Sequence, residues 1–176
     1  MKKLVLLIGL GIILLSQVSF ASAKSAKPNR AITTNPIDFI ISDKINIKYE
    51  QMLERKKSFT VEFFYDNHNE NAPGFGIGCS YRWYFRSLIP VKTVGVEGFS
   101  AGPYARMGWY IWEVNEGTTE HQAGIDLGGE IAYKFILGKY FAIEPMIRMG
   151  WGIGGTAFSN NKGFHPWPGV SLGLAW

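Results

Sequence analysis

From Tyr140 to Gly155 the chain reads YFAIEPMIRMGWGIGG, with a large apolar residue at every second position. Phe141, Ile143, Pro145, Ile147, Met149, Trp151 and Ile153 share one face. Ala142, Glu144, Met146, Arg148, Gly150, Gly152 and Gly154 share the other. Successive strand side chains point to opposite sides of a sheet, so this period of two predicts a long strand. One face is bulky and apolar, the other small or charged. A strand with hydrocarbon on one side and a narrow polar lumen on the other needs that division.

Other segments repeat the pattern. Gly74–Phe85 sets Phe75, Ile77, Cys79, Tyr81, Trp83 and Phe85 against Gly76, Gly78, Ser80, Arg82 and Tyr84. Gly98–Val114, His121–Leu137 and Pro168–Trp176 alternate in the same way, as do Ile45–Met52 and Phe59–Tyr65. Ala31–Pro36 supplies a first strand, and Ile37–Ile41 is an apolar run without a period. The expected fold is all-β: an eight-stranded antiparallel up-and-down transmembrane β-barrel over 31–176. The connections Asn67–Pro73, Asn115–Glu120 and Thr156–Pro166 fall at one end. Glu54–Lys56, Arg86–Glu97 and the tight Gly138–Lys139 turn fall at the other. Pro103 and Pro145 conflict with central strands, because each removes a ladder donor. A bulge would reconcile them.

Met1-Lys2-Lys3, the apolar run Leu4–Leu15 and Ala21-Ser22-Ala23 have the layout of a signal peptide, with cleavage expected after Ala23. Residues 24–30 read as a flexible lead-in. Mean hydropathy is +0.01, as expected when apolar residues alternate with polar ones rather than forming long runs. The formal charge of +4 falls to +2 once Lys2 and Lys3 leave with the leader, too weak a balance to suggest nucleic acid. Cys79 is the single cysteine, which excludes an internal disulfide.

A soluble barrel with its apolar face turned inward would also alternate. Volume argues against it: eight strands enclose space for side chains or one small ligand, not for this many Trp, Phe, Tyr and Ile residues. Aromatics also gather at strand ends. Trp83, Phe85, Phe99, Tyr133, Phe135, Phe141 and Trp176 mark one end, and Phe75, Trp109 and Trp151 the other, as membrane-interface girdles would.

YRWYF at Tyr81–Phe85 and EGFSAGPYARMGW at Glu97–Trp109 resemble a family of small, uncharacterised Gram-negative outer-membrane proteins. NPI at Asn35–Ile37 and IKYEQML at Ile47–Leu53 are similar to that family's opening segment. The resemblance implies an eight-stranded barrel of the OmpA/OmpX type and carries no catalytic residues. The terminal Trp176 is similar to the aromatic end residue that the barrel insertion machinery reads.

His68, His121 and His165 with Glu70, Glu116 and Glu120 match no metal-ligand spacing, so surface histidines are the simpler reading and no metal or other cofactor is expected. Ser159 and His165 with a nearby carboxylate would suit a lipid-modifying enzyme of the lipid A deacylase kind. The His and Ser two residues apart that mark such enzymes are missing, so no enzyme is expected. The lumen face carries Lys48, Arg82, Arg106, Lys134 and Arg148 with Glu50, Glu62, Asp126, Glu130 and Glu144. Buried charges persist only when paired, so these form a structural plug. Opposed residues must share a face, and a three-residue Gly138–Tyr140 loop sets Lys134 opposite Glu144 and Glu130 opposite Arg148. A Glu54–Lys56 loop likewise sets Lys48 opposite Glu62. Exchanging Glu130 and Arg148 is expected to preserve part of that pair's contribution. With Tyr84, Tyr104, Tyr110 and Met146 in the same lumen, no open pore is expected. The expectation is a monomeric, non-enzymatic outer-membrane protein of envelope integrity or surface interaction, whose partners are membrane lipids and the insertion machinery. The alternatives are the lipid-modifying enzyme and a soluble exported barrel holding a small apolar ligand.

Overall fold

The alternating segments fold into a single antiparallel sheet that closes on itself. A computed structural model describes residues 28–67, 73–85, 95–115, 118–154 and 163–176. Residues 1–27, which include the expected signal peptide, lie outside it. The strands are β1 (Arg30–Thr34), β2 (Lys44–Glu54), β3 (Lys57–Asp66), β4 (Gly74–Tyr84), β5 (Gly98–Asn115), β6 (Thr118–Leu137), β7 (Phe141–Gly154) and β8 (Gly163–Ala175). Each pairs with its sequence neighbours, and β1 pairs with β8 to close an eight-stranded barrel. Closure leaves no exposed sheet edge where the ladders are complete.

The period of two appears directly as alternating burial. On β4, Gly76, Gly78, Ser80, Arg82 and Tyr84 are buried, while Phe75, Ile77, Cys79 and Trp83 are exposed. On β7, Ala142, Glu144, Met146 and Arg148 are buried, while Phe141, Pro145, Ile147 and Trp151 are exposed. The bulk therefore lies outside and the charge inside, opposite to a water-soluble barrel. Of the aromatic set, Phe75, Trp83, Phe85, Trp109, Phe135, Phe141, Trp151 and Trp176 are exposed. Phe99 and Tyr133 are half-buried on the same outer surface.

The Gly138–Tyr140 loop has three residues, with Leu137 facing Phe141 and Glu130 facing Arg148. The β2–β3 connection keeps the expected register, with Lys48 facing Glu62. Its turn, however, is Arg55-Lys56, and a bulge between Met52 and Glu54 takes up the odd residue. The strands also run longer than the sequence suggests. β6 begins at Thr118 and β8 at Gly163, inside the segments Asn115–Glu120 and Thr156–Pro166 that read as loops. The polar composition of these strand ends hides this length.

The apolar run after Pro36 is a helix, α1 (Pro36–Ser42), rather than more strand. Asn35 caps it by accepting from the backbone of Ile37 and Asp38, and Pro36 occupies the first turn, where a missing N–H costs nothing. Asp43, at φ 48°, ends it in the left-handed conformation and returns its N–H to the Asp38 carbonyl. Asn46 of β2 fixes the helix in place: its Oδ1 accepts from Asn35 N at 2.8 Å, and its Nδ2 donates to Asp38 Oδ2 at 3.1 Å.

Neither Pro103 nor Pro145 sits in a bulge. The β4–β5 pairs pass from Ser80/Tyr104 to Trp83/Ala101 without a change of register, and the β6–β7 pairs from Ala132/Met146 to Phe135/Ile143. The ladder simply omits the pairs containing each proline and the residue beside it. The missing bonds are tolerated because the neighbouring ladders stay intact, with Pro103 still facing Gly129 and Pro145 facing Val170.

Pro28 and Asn29, expected in a loose lead-in, are bound to the barrel floor. Asn29 N donates to Trp176 O at 2.8 Å, and Pro28 O accepts from Val96 N at 2.9 Å. Val96 is fully buried and packs with Ala31, Ala142 and Ala175 where the two ends of the barrel chain meet.

Candidate functional site

The barrel interior is the candidate site. Glu50 on β2, Arg82 on β4, Glu130 and Lys134 on β6 and Glu144 on β7 are each less than 2 % exposed. Inward-facing positions at similar height on different strands bring them together. Arg82 stands at the centre. Its Nε donates to Glu130 Oε1 at 2.5 Å, Nη1 to Glu144 Oε2 at 3.0 Å, and Nη2 to Glu144 Oε1 at 3.3 Å. Its Nη1 also lies 3.4 Å from Glu50 Oε2. The planar guanidinium fork holds three carboxylates at once, which an ammonium point charge does less well.

Lysines fill the remaining acceptor sites. Lys134 Nζ pairs with Glu50 and lies 2.9 Å from Glu144 Oε2. Lys48 Nζ pairs with Glu144 and lies 3.8 Å from Met146 Sδ. Its ladder neighbour Glu62 is instead held by Arg148, Nη2 to Oε2 2.5 Å, with Arg106 at 3.6 Å. Arg148 Nε completes the chain by donating to Glu130 Oε2 at 3.1 Å. Hydroxyls occupy the leftover lone pairs: Ser80 donates to Glu130, while Ser58 and Tyr84 donate to Glu50.

Beyond Arg148 the lumen fills with rings. Tyr104 donates to Asp126 Oδ2 at 2.9 Å, and the Arg106 guanidinium lies 4.3 Å from the Phe64 ring centroid. Glycine on the facing strands makes room. A Cβ at Gly76 would meet the Phe64 ring, one at Gly74 the Tyr110 ring, and one at Gly150 the Tyr104 hydroxyl. Lys44 pairs with Asp66 at 2.8 Å nearer the rim and lies 4.5 Å from the Trp167 ring.

All ten lumen charges named from the sequence face this interior. Nine are buried, and Arg106 is half-buried. Of the three cross-strand pairs expected, Lys134–Glu144 and Glu130–Arg148 form, while Lys48 crosses to Glu144 instead of pairing with Glu62. Sequence reasoning also missed Val96 and the hydroxyls of Ser58 and Ser80. No periodic signal marks Val96, and a serine on a small-residue face looks like filler.

His68, Glu70, Glu116 and Ser159 lie outside the described residues; Glu120 and His121 are exposed on β6, and His165 lies on β8. Among the described residues no group of His, Cys, Asp and Glu is arranged to hold a metal ion. Cys79 is exposed on the outer wall.

No family model and no curated relative matches this chain. Among solved structures, it is similar to the N-terminal β-barrel domain of Pseudomonas aeruginosa OprF. The TM-score is 0.55 at 10 % identity, covering 86 % of this chain and 100 % of that one. A likeness at that identity concerns the fold, so the protein has an eight-stranded barrel fold similar to that of the OprF domain.

Proposed function

We propose that this protein is a non-enzymatic outer-membrane barrel with a closed lumen, serving envelope integrity or surface interaction. One observation carries the reading: the barrel wears its apolar side chains outward and packs its charges inward. Phe63, Trp151 and Ile153 are about 60 % exposed, while Arg82 and Glu144 are fully buried. In water such a surface would aggregate; in a bilayer it is matched to its surroundings. The likeness to the OprF barrel supports the same location. The short motifs at Tyr81–Phe85 and Glu97–Trp109, which resemble small Gram-negative outer-membrane proteins, belong with it. The non-enzymatic reading is supported by the site's chemistry. Each of the inner carboxylates Glu50, Glu130 and Glu144 is held by at least two cationic contacts, so none is poised as a general acid or base.

Fractionation of cells producing the full chain tests the reading. Recovery in the outer-membrane fraction, resistant to high-salt and carbonate washing, is the expected result. Recovery of the folded protein in the soluble periplasm would overturn it.

A further inference from the structure

The barrel wall is incomplete as a sheet. β1 has five residues and meets β8 only from Ala31/Ala175 to Thr34/Leu172. Beyond Leu172, β8 continues with no strand paired on that side among the described residues, and α1 contacts both it and β2. Arg30 and Trp176 exchange both backbone bonds, at 2.9 and 3.0 Å, which sets the phase: even-numbered residues of β8 direct their N–H groups away from β7. Pro166 and Pro168 therefore stand where free donors would otherwise line the open edge. Proline suits such an edge and denies it to another strand.

A second interruption lies beside the first. Ala175 N donates to Tyr140 O at 2.7 Å, so odd residues of β7 bond toward β6, and Pro145 removes a donor there. These features meet in one groove of about 550 Å³ on the outer wall. Ile37 of α1, Pro145, Ile147, Pro168 and Val170 form its sides. Ala132, Met146 and Gly169, from the lumen-facing rows of β6, β7 and β8, also line it, so the groove reaches the sheet between the outward side chains.

We propose that this groove binds one acyl chain of a membrane phospholipid; the inference rests on the outer-membrane reading. Its volume falls within the range of about 300–1,000 Å³ found for small-molecule sites. Its lining carries no charge, and Tyr133 is the one lining residue with a hydroxyl, amide or ionisable group, so it offers a charged or peptide ligand almost nothing to pair with. It opens among exposed apolar side chains, Ile131 and Ile147 among them, where hydrocarbon is the surrounding phase. An acyl chain is flexible and narrow enough to follow a groove between strands. A strand laid along β8 there would lose a ladder bond at Pro168, which an acyl chain does not need.

The test refolds the barrel into vesicles of phosphatidylethanolamine and phosphatidylglycerol doped with a phospholipid bearing a diazirine on its acyl chain. After irradiation, cross-linked peptides are mapped by mass spectrometry. Cross-links should concentrate on the peptides carrying Ile131, Ile147 and Val170, above the level on the opposite wall at Phe63 and Ile77. Val170→Trp, and separately Ile131→Trp, should fill the groove and remove that excess while leaving cross-links at Phe63 and Ile77 unchanged. Because those control sites report insertion, a misfolded variant is recognised, and the other variant then carries the test. Uniform labelling around the wall, or an excess that survives both substitutions, would overturn the acyl-chain site while leaving the membrane reading intact. Absence of labelling at Phe63 and Ile77 in the wild type would overturn the membrane reading itself and the site with it.

Discussion

Arg82 on β4 and Glu144 on β7 meet across the lumen in a two-pronged ion pair, Nη1 to Oε2 3.0 Å and Nη2 to Oε1 3.3 Å. Three strand spacings separate them around the wall, so only a narrow barrel lets the side chains touch. The same guanidinium also holds Glu130 and Glu50. Arg82→Ala takes one cation away from three carboxylates in a fully buried site and leaves three anions near Lys48, Lys134 and Arg148 without the central charge. It should destabilise the barrel by about 3–5 kcal/mol, the cost of breaking a buried pair from one side. Urea titration of barrel refolded in detergent measures this. A loss comparable to that of an exposed charge would mean water reaches the network.

Glu130 and Arg148 face each other across the β6–β7 ladder, which makes exchanging them look harmless. The network says otherwise. Glu130 also accepts from Arg82 Nε and Ser80 Oγ, each at 2.5 Å, and Arg148 also holds Glu62. Glu130→Arg sets one guanidinium against another, and Arg148→Glu sets a carboxylate against Glu62. The double exchange should be no more stable than the weaker single variant. Urea midpoints of the four proteins form the cycle, and a recovery in the double would show that the pair acts alone.

That reversal marks where sequence reasoning stops. Alternation assigns each residue to a face, and the three-residue Gly138–Tyr140 loop assigns the neighbours of Glu130 and Lys134, because both follow from local backbone geometry. Lys48 shows the limit. Its ladder neighbour is Glu62, yet its flexible stem carries the ammonium across to Glu144, a choice set by barrel diameter rather than by spacing. Face also says nothing about the direction of a residue's N–H. Pro103 and Pro145 therefore look forbidden until the hydrogen-bond phase shows each removing a bond from one ladder only. Asn35-Pro36 with Asp38 does carry a helix-start signature, but the run Ile37–Ile41 reads equally as a buried strand. Val96 carries no signal at all: no period of two runs through the residues beside it, and its burial comes from packing against Ala31, Ala142 and Ala175, which lie far from it in the sequence.

Gly102 sits next to the Pro103 interruption, where β4 and β5 approach closely. A Cβ there would collide with the backbone carbonyl of Tyr81, which no rotamer change relieves. At Gly129, on the adjacent β6, the nearest atom to an added Cβ is Gly102 O at 3.8 Å, an ordinary contact. Gly102→Ala should therefore lower stability by about 1–3 kcal/mol, the usual range for overpacking, while Gly129→Ala changes it little. Unfolding midpoints in urea compare the two. Equal effects would show that the strands relax freely at the proline.

The filled lumen also bears on conduction. At the end where the chain closes on itself, Val96 is fully buried, and its carbonyl accepts from Tyr84 Oη at 3.1 Å. Above it lies the layer of Glu50, Arg82, Lys134 and Glu144, all at most 1 % exposed. Glu62 and Arg148 follow, then the Phe64, Tyr104 and Tyr110 rings nested against glycine. An ion crossing the barrel must displace an apolar seal, separate ion pairs that hold one another, and pass between packed rings. Eight strands leave no spare width for a bypass. The wild-type barrel in planar bilayers should show no steady conductance. Val96→Gly should stay closed as well, since the charge layer above still spans the lumen. Sustained porin-like steps from the wild type would refute the plug; steps from Val96→Gly alone would place the seal in the floor and not in the ion pairs.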